Sequence, residues 1–273
     1  MIGRRLFPVA AQFALLFVIL QVYSLFRKTY FLPSPGTAFD NAEQIIRLQE
    51  AFGLSVHRIE LPLQRWVLSH GWLIDFFNVY YQNFKAAFFA SAVLCVLLAP
   101  LAYRRIRSLF LIATMIALPW YALYPLAPPR LMDAHGYSFI DTLAVQGGVQ
   151  STASGLGGAN QFAAMPSMHI GWTLVAALWL SAALPWWRIG AILGAVHVTM
   201  MCLTVIVTGN HYLLDIVGGF LVVALAVVVV RWYPVALSAL PRSHMTRLAR
   251  RVSPRSSPTP HGRARPQPPS DMR

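Results

Sequence analysis

Residues 211–231 read HYLLDIVGGFLVVALAVVVVR, an apolar run of helical length whose first turn carries a histidine and an aspartate. Residues 166–187 read PSMHIGWTLVAALWLSAALPWW, and again a histidine stands where an apolar run begins. About 20 apolar residues cross the hydrocarbon core of a bilayer as a helix, so each run predicts a transmembrane helix. Ionisable side chains at a membrane boundary are costly unless they pair or take part in function. Because His169 and His211 recur at equivalent depths, the sequence predicts one polar site shared between helices.

The composition favours a helical membrane protein over a soluble one. The chain has 273 residues, of which 57% are hydrophobic and 11% charged, and this is too apolar for an ordinary soluble domain. Its apolar runs are continuous, whereas the strands of a transmembrane barrel alternate. We expect an all-α polytopic protein, a six-helix transmembrane bundle with interfacial amphipathic helices. The predicted spans are residues 6–26, 84–103, 108–126, 169–187, 189–209 and 211–231.

The arginines predict the orientation of this bundle. The formal net charge is +13, and residues 242–273 are rich in arginine. Cytoplasmic segments carry the excess of basic residues, so we expect both termini in the cytoplasm and the polar site on the extracytoplasmic side of the plasma membrane. The basic tail could bind nucleic acid, but contact with anionic lipid headgroups is the better interpretation, and no nucleic-acid partner is expected. Residues 1–26 could also be a cleavable signal peptide, but they lack a small-residue cleavage site and favour a retained helix.

His211 and Asp215 predict a nucleophile and the carboxylate that orients it. Four residues apart on a helix, their side chains share one face and can meet. A carboxylate bonded to one ring nitrogen fixes the tautomer and makes the other nitrogen the attacking atom. Taken alone, the two residues are better explained as a buried pair that only satisfies itself.

His169 begins a different helix at the same membrane face and changes this balance. Pro166 can occupy a first helical turn, and the backbone N–H groups that follow it can hold an anion. Ser167 adds a hydroxyl group to the same turn. A protonated His169 could give its proton to a departing oxygen, although a histidine can also lie at the interface without a role.

Arg130 follows the third predicted span, also on the outer face. A guanidinium can clamp two phosphate oxygens, although a single arginine there could simply extend towards the interface. Two histidines, one carboxylate and one arginine from three helix ends predict phosphoryl transfer through a phosphohistidine. A site for iron or zinc remains a second interpretation, and we expect neither metal nor cofactor. The glycine-rich residues 133–164 predict a loop over the outer mouth, since no phosphate-binding Gly-Lys-Ser/Thr motif follows them.

Three strings in the chain resemble the type 2 phosphatidic acid phosphatase superfamily, and most of all its inositol phosphorylceramide synthase-like branch of inositolphosphotransferases. They are PPR at 128–130, AMPSMH at 164–169 and GNHYLLDIVGG at 209–219, within a likeness that covers about residues 40–231. The resemblance implies a six-helix membrane core with the site outside and no metal. It implies that His211 takes the phosphoryl group, Asp215 orients it and His169 protonates the leaving group. It also implies that Arg130 and Ser167 bind phosphate.

The chain departs from the superfamily pattern at two cations. The superfamily has a lysine seven residues before its first arginine and an arginine six residues before its last histidine, where this chain has Leu123 and Val205. The synthase-like branch tolerates that pattern. Lys85 is a candidate for the missing positive charge, although it can also be an ordinary interfacial anchor. Asn210 could donate a further hydrogen bond to phosphate.

The expected function is therefore that of a membrane lipid-phosphate phosphatase or phosphotransferase. Its substrate would be a lipid phosphate or diphosphate among the membrane lipids, and the acceptor would be water or an alcohol. A non-enzymatic transporter or scaffold with a polar gate is the alternative, although transporters place such groups near the bilayer midplane. The expected organisation is a first transmembrane helix with a cytoplasmic N-terminus (1–30), external interfacial helices (31–83), a catalytic transmembrane core (84–231) and a disordered basic cytoplasmic tail (232–273).

Overall fold

The computed structural model describes residues 34–145 and 161–239, together with residues 14, 16–18, 21 and 25. The described part of the chain is helical, as predicted. Its helices are α1 (Pro35–Ala51), α2 (Glu60–Leu68), α3 (Gly71–Leu98), α4 (Pro100–Leu123), α5 (Thr142–Val145), α6 (Met168–Ala183), α7 (Trp187–Val207) and α8 (Leu213–Ala239). The chain divides into one compact unit over Met1–Arg231 and a second over Trp232–Arg273, in which the described residues, 232–239, are helical.

In the part of the chain that the structure describes, four helices are long and apolar enough to cross a membrane: α3, α4, α7 and residues Leu213–Trp232 of α8. The span predicted at 169–187 is a shorter apolar helix, α6, of 16 residues. It ends at Ala183 because Leu184 precedes a proline, and a residue in that position is pushed towards extended backbone. The span predicted at 6–26 lies almost entirely outside the described residues, as does the tail beyond residue 239. Within the described residues, the structure thus supports four spans and a fifth, shorter apolar helix, and the sixth predicted span, at 6–26, stays a prediction.

Helix α3 begins at Gly71, well before the predicted start of its span at residue 84. Polar Gln82 and Asn83 suggested an end to the apolar run, but both lie on an exposed face of the helix. The opposite face buries a stripe at helical spacing, formed by Ile74, Phe77, Asn78, Phe84 and Phe88. A helix needs only one apolar face to pack, so isolated polar residues on the other face do not interrupt it.

Helix α6 lies at the centre of the bundle, against α3, α4 and α7. Its Trp179 ring is centred 5.1 Å from that of Phe88 on α3, within a larger buried aromatic cluster. Helices in a membrane associate through close packing, because lipid tails are as apolar as the side chains. A Cβ added at Gly190 would lie 2.6 Å from Cα of Ser181, so glycine is what lets α7 approach α6.

A second apolar cluster joins α1 to the segments that connect the long helices. It contains Ala42, Ile45, Ile46, Leu126, Met132, Phe139 and Tyr212. The amide of Asn41 on α1 donates a 2.7 Å hydrogen bond to the carbonyl of Pro125. This cluster fixes the chain after α4 against the chain before α8, and these are the two segments that carry Arg130 and His211.

Candidate active site

His169, His211 and Asp215 form a continuous hydrogen-bonded chain. Nδ1 of His211 lies 3.3 Å from Oδ2 of Asp215, and Nε2 of His211 lies 3.0 Å from Nδ1 of His169. Asp215 is fully buried and His211 is 5% exposed, whereas His169 is half-buried. With the carboxylate accepting the Nδ1 proton of His211, Nε2 presents its lone pair towards His169. The predicted nucleophile, orienting carboxylate and acid are therefore in mutual contact.

The contact between His211 and Asp215 has a different local origin from the one expected. Helix α8 begins only at Leu213, so His211 precedes the helix instead of lying on its face. Asp215 is the third helical residue, and its Oδ2 accepts a 2.9 Å hydrogen bond from the backbone N–H of Tyr212. A carboxylate in this position commonly reaches back to the residue that caps the helix. The same oxygen therefore closes the first turn of α8 and contacts His211.

Ser167 lies at the start of α6, where it caps the helix that carries His169. Helix α6 begins at Met168, so Pro166 precedes the cap and is not in the first turn as predicted. The Ser167 hydroxyl is fully buried and has no hydrogen-bond partner among the described residues. Buried hydroxyl groups are nearly always satisfied, so this one is available to a ligand, next to the N–H groups of the first helical turn.

Glycines in α8 allow the two catalytic turns to meet. A Cβ added at Gly219 would lie 2.5 Å from the carbonyl oxygen of Ser167. The backbone N–H of Ser167 also donates a 3.0 Å hydrogen bond to the carbonyl of Asp215. The beginning of α6 is therefore held directly against the first turns of α8, which brings His169 to His211.

Arg130 joins the site through the residue before His211. Its Nη1 donates a 2.6 Å hydrogen bond to Oδ1 of Asn210, and its backbone N–H donates to the carbonyl of Gly209 at 2.8 Å. The other end of the Asn210 amide donates to the hydroxyl of Thr208 at 2.8 Å. Asn210, predicted to bind phosphate, thus orients Arg130 in this structure.

Asp141 is a residue of the site that the sequence did not indicate. Its Oδ2 lies 3.3 Å from Nε of Arg130, and both side chains are largely buried. Two buried side-chain amides hold the backbone on either side of Asp141. Gln64 donates to the backbone carbonyl of Ile140 and accepts from its N–H, and Asn78 donates to the carbonyl of Thr142 and accepts from its hydroxyl. Asp141 contacts Nε of Arg130 and Asn210 accepts from Nη1, which leaves Nη2 and the second N–H of Nη1 without a partner among the described residues.

Lys85 lies on an exposed part of α3, next to the aromatic side chains that contact His169. The rings of Tyr81 and Phe84 are centred 4.7 Å and 4.6 Å from the His169 ring. The sequence did not single out either ring as part of the site. They cover one side of the imidazole, while phosphate binding by Lys85 remains a prediction.

Glu60 is a second carboxylate that the sequence did not single out. It is 1% exposed, and burial raises its pKa from 4.5 to about 7, with hydrogen bonds from Leu213 and Gln49 opposing the shift. A signal was present in the pattern, since Glu60, Gln64 and Val67 share the buried face of α2. An acid on the buried face of an amphipathic helix requires a partner.

A metal centre was the second interpretation of the histidines and the carboxylate. Within the described ranges, no group of three or more histidine, cysteine, aspartate or glutamate side chains is arranged to hold one. The nitrogens of His169 and His211 instead face each other directly, at 3.0 Å. At this distance the two rings can share one proton in a hydrogen bond.

Comparison with protein families matches residues 43–229, more than half of the chain, to the PAP2 superfamily. His169, His211, Asp215, Arg130 and the carboxylate Glu60 all lie inside the matched range. No curated protein and no solved structure matches the chain. The match is to the superfamily as a whole, so placement in the inositol phosphorylceramide synthase-like branch remains a prediction.

Proposed function

The chain belongs to the PAP2 superfamily, which consists of phosphatases and phosphotransferases, and we propose that it transfers the phosphoryl group of a membrane lipid through a phosphohistidine on His211. The observation that carries this proposal is the unbroken chain from Asp215 through His211 to His169. It supplies a nucleophile, the group that orients it and a proton donor in one line. The four candidate membrane spans make a lipid phosphate the natural substrate.

In the first step, Nε2 of His211 attacks phosphorus while the bond from phosphorus to the leaving oxygen breaks. Asp215 holds the Nδ1 proton and stabilises the positive charge that develops on the ring. His169 donates its proton to the leaving oxygen, so the lipid departs as an alcohol. The product of this step is a phosphorylated His211 and a neutral His169.

The second step runs the same chemistry in reverse with a different oxygen. Neutral His169 removes the proton from water or from an acceptor hydroxyl, and that oxygen attacks phosphorus as the bond to His211 breaks. Water gives inorganic phosphate, and an alcohol gives a new phosphate ester. No metal enters either step in this proposal.

Negative charge on the phosphoryl oxygens must be balanced throughout. Nη2 of Arg130 and the second N–H of Nη1 can donate to phosphoryl oxygens, and the Ser167 hydroxyl, which has no partner among the described residues, can donate to another. Val205 lies where the superfamily has an arginine, and it is fully buried, whereas Leu123, in place of the lysine, is 82% exposed. Lys85 is our candidate for the missing charge.

We also propose an orientation and a branch. The arginine clusters support an active site on the extracytoplasmic side of the plasma membrane with both termini in the cytoplasm. The missing pair of cations supports the inositolphosphotransferase-like branch, in which an alcohol replaces water as the acceptor. Incubation with a panel of lipid phosphates and diphosphates, with and without inositol or glycerol, separates the two outcomes by mass spectrometry of the products.

The decisive experiment traps the intermediate. Purified protein in detergent is mixed with a short-chain phosphatidic acid labelled on phosphorus, in buffer with and without a chelator, and quenched at early times. We expect acid-labile, base-stable label on the wild-type protein and on His70→Ala, an exposed histidine outside the site. We expect none on His211→Ala, and no effect of the chelator. Full turnover by His211→Ala, or activity lost to the chelator, overturns the proposal.

A further inference from the structure

Glu60 is a buried carboxylate whose partners include no cation. The ion pairs found among the described side chains do not include it. An ionised group removed from water must be stabilised by other means. Its oxygens instead accept hydrogen bonds from Nε2 of Gln49 at 3.2 and 3.0 Å.

The remaining partner of Glu60 is the beginning of α8. The backbone N–H of Leu213 donates to Oε1 of Glu60 at 2.9 Å, and the N–H of Leu214 donates to Oε1 of Gln49 at 3.0 Å. The first N–H groups of a helix have no acceptor within it, and the positive end of the helix dipole favours a negative charge. Residues from α1 and α2 therefore supply the acceptors that α8 lacks.

This contact lies inside the catalytic turn. Leu213 and Leu214 are two of the three residues between His211 and Asp215, so their N–H groups fix the backbone that connects nucleophile and carboxylate. Asp215 closes the same turn from within through Tyr212. The turn is thus held by one carboxylate of its own and by one carboxylate that comes from 153 residues away.

We propose that Glu60, held by Gln49, is a positioning residue that sets the geometry of the His211–Asp215 turn. The inference rests on the proposed function, because that turn carries the nucleophile. A hydrogen bond to an ionised acceptor is roughly twice as strong as one between neutral groups. The ionised form of Glu60 therefore holds the turn more firmly than the protonated form.

The groups that face Glu60 determine how readily its carboxyl group ionises. Gln49 from α1 is uncharged, and Asp215 from α8 is the carboxylate whose charge opposes ionisation of Glu60. Tyr212 is also close enough to interact electrostatically with Glu60, and burial raises the pKa of the Tyr212 phenol well above 10. Glu60 thus changes charge near neutral pH, while Tyr212 stays neutral.

The first test measures kcat and KM with dioctanoyl phosphatidic acid for Glu60→Ala, Glu60→Gln and the matched control Glu50→Gln, an exposed carboxylate on α1. We expect Glu60→Ala to lower kcat by about tenfold or more with KM changed less than about twofold, as for a group acting only on the reacting turn. Glu60→Gln keeps an acceptor for Leu213 and should restore kcat to within about threefold. A Glu60→Ala enzyme with wild-type kcat, or one impaired only in KM, overturns the inference.

A second measurement keeps the inference testable where Glu60→Ala fails to fold. Glu60→Gln retains an oxygen acceptor for Leu213 but does not titrate, so its kcat should lack a rise through about pH 7 that the wild type and Glu50→Gln show. Identical pH profiles for all three overturn the inference, because a purely structural acceptor would not titrate.

Hydrogen exchange separates this inference from the proposed function. If wild-type protein turns over no phosphate ester, the proposed function fails, and amide exchange still reports on Glu60. We then expect the Leu213 and Leu214 amides to exchange at least about tenfold faster in Glu60→Ala than in the wild type. In Glu60→Gln at pH 8, we expect the same amides to exchange faster than in the wild type by a smaller factor. Unchanged exchange in both variants overturns the positioning role.

Discussion

Nε2 of His211 and Nδ1 of His169 lie 3.0 Å apart, so the candidate nucleophile and the candidate acid share a hydrogen bond before substrate binds. A phosphorus atom bonded to Nε2 must occupy part of that space. Substrate binding therefore has to break this contact, and the His169 proton then becomes available to the leaving oxygen. The two rings meet edge to face with centroids 5.2 Å apart.

His169→Ala should slow turnover of lipid phosphates by about 100-fold or more, within the range typical of general acid catalysis. The loss in the first step should be much smaller for p-nitrophenyl phosphate, whose phenolate departs without protonation. Single-turnover rates of phosphoenzyme formation on both substrates, with His70→Ala as control, check this, because the second step needs His169 with either substrate. Equal losses on the two substrates would contradict the acid role.

Asp215→Asn should lower kcat by about 100-fold or more while the protein stays folded. The amide oxygen can still accept the Tyr212 N–H that Asp215 accepts at 2.9 Å. It cannot stabilise positive charge on His211, and it permits the wrong tautomer. Turnover and thermal unfolding in detergent measure the two effects separately, and a variant that keeps wild-type kcat would count against the orienting role.

Ser167→Ala should weaken anion binding without destabilising the fold. Its hydroxyl is buried and has no partner among the described residues, so its removal costs no hydrogen bond and leaves stability unchanged or raised by up to about 1 kcal/mol. The inhibition constant of orthovanadate should rise by about fivefold or more. Ser91→Ala, which removes a hydroxyl bonded to the Phe88 carbonyl at 2.8 Å, should show the opposite pair of effects: lower stability and unchanged inhibition.

Asp141→Asn should tighten orthovanadate inhibition by roughly threefold or more. The substitution keeps an oxygen acceptor for Arg130 but removes a negative charge 3.3 Å from its Nε, which competes with a bound anion. Asp133→Asn removes an exposed charge from the neighbouring turn and should leave inhibition unchanged. Weaker inhibition by Asp141→Asn would show that Asp141 serves mainly to hold Arg130 in place.

Glu60 should make the protein less stable as pH rises towards neutrality. Burial raises its pKa from 4.5 to about 7, so between these values the folded chain keeps a proton that the unfolded chain has released. The free energy of unfolding then falls as pH rises from 4.5 to 7, by up to about 3 kcal/mol, because one pKa unit corresponds to about 1.4 kcal/mol. Thermal unfolding at pH 5 and pH 8 should show this decrease for wild type and Glu50→Gln but not for Glu60→Gln. The same decrease in all three would assign it to other groups.

The local part of the site could be predicted from the sequence, and its long-range part could not. His211 and Asp215 are four residues apart, so spacing alone indicated that they could meet. Arg130 meets Asn210 across 80 residues, and Glu60 meets Leu213 across 153. Such contacts depend on how helices stack, and helical periodicity gives the buried face of a segment but not the partner of that face.

The ends of the helices also have local causes in one case and tertiary causes in another. Helix α6 was predicted to reach residue 187, and its end at Ala183 follows from a local proline effect that a closer reading of Pro185 could have supplied. The early start of α3 has no such local marker. Its first turns are stabilised by burying Ile74 and Phe77 against Val67 and Val207, which only the folded arrangement shows.

The length of α6 bears on the depth at which the proposed reaction would take place. Its 16 residues rise about 24 Å, which is less than the roughly 30 Å of hydrocarbon in a typical bilayer. In the proposed orientation, an α6 whose C-terminal end lies at the cytoplasmic boundary would place His169, in its first turn, below the outer boundary of the hydrocarbon. A phosphate attached to a lipid would be held close to that boundary, whereas a sugar phosphate or nucleotide dissolved in water would have to shed its hydration and descend. In the proposed function, the short length of α6 would therefore favour lipid-linked phosphates by depth, before any side chain recognises them.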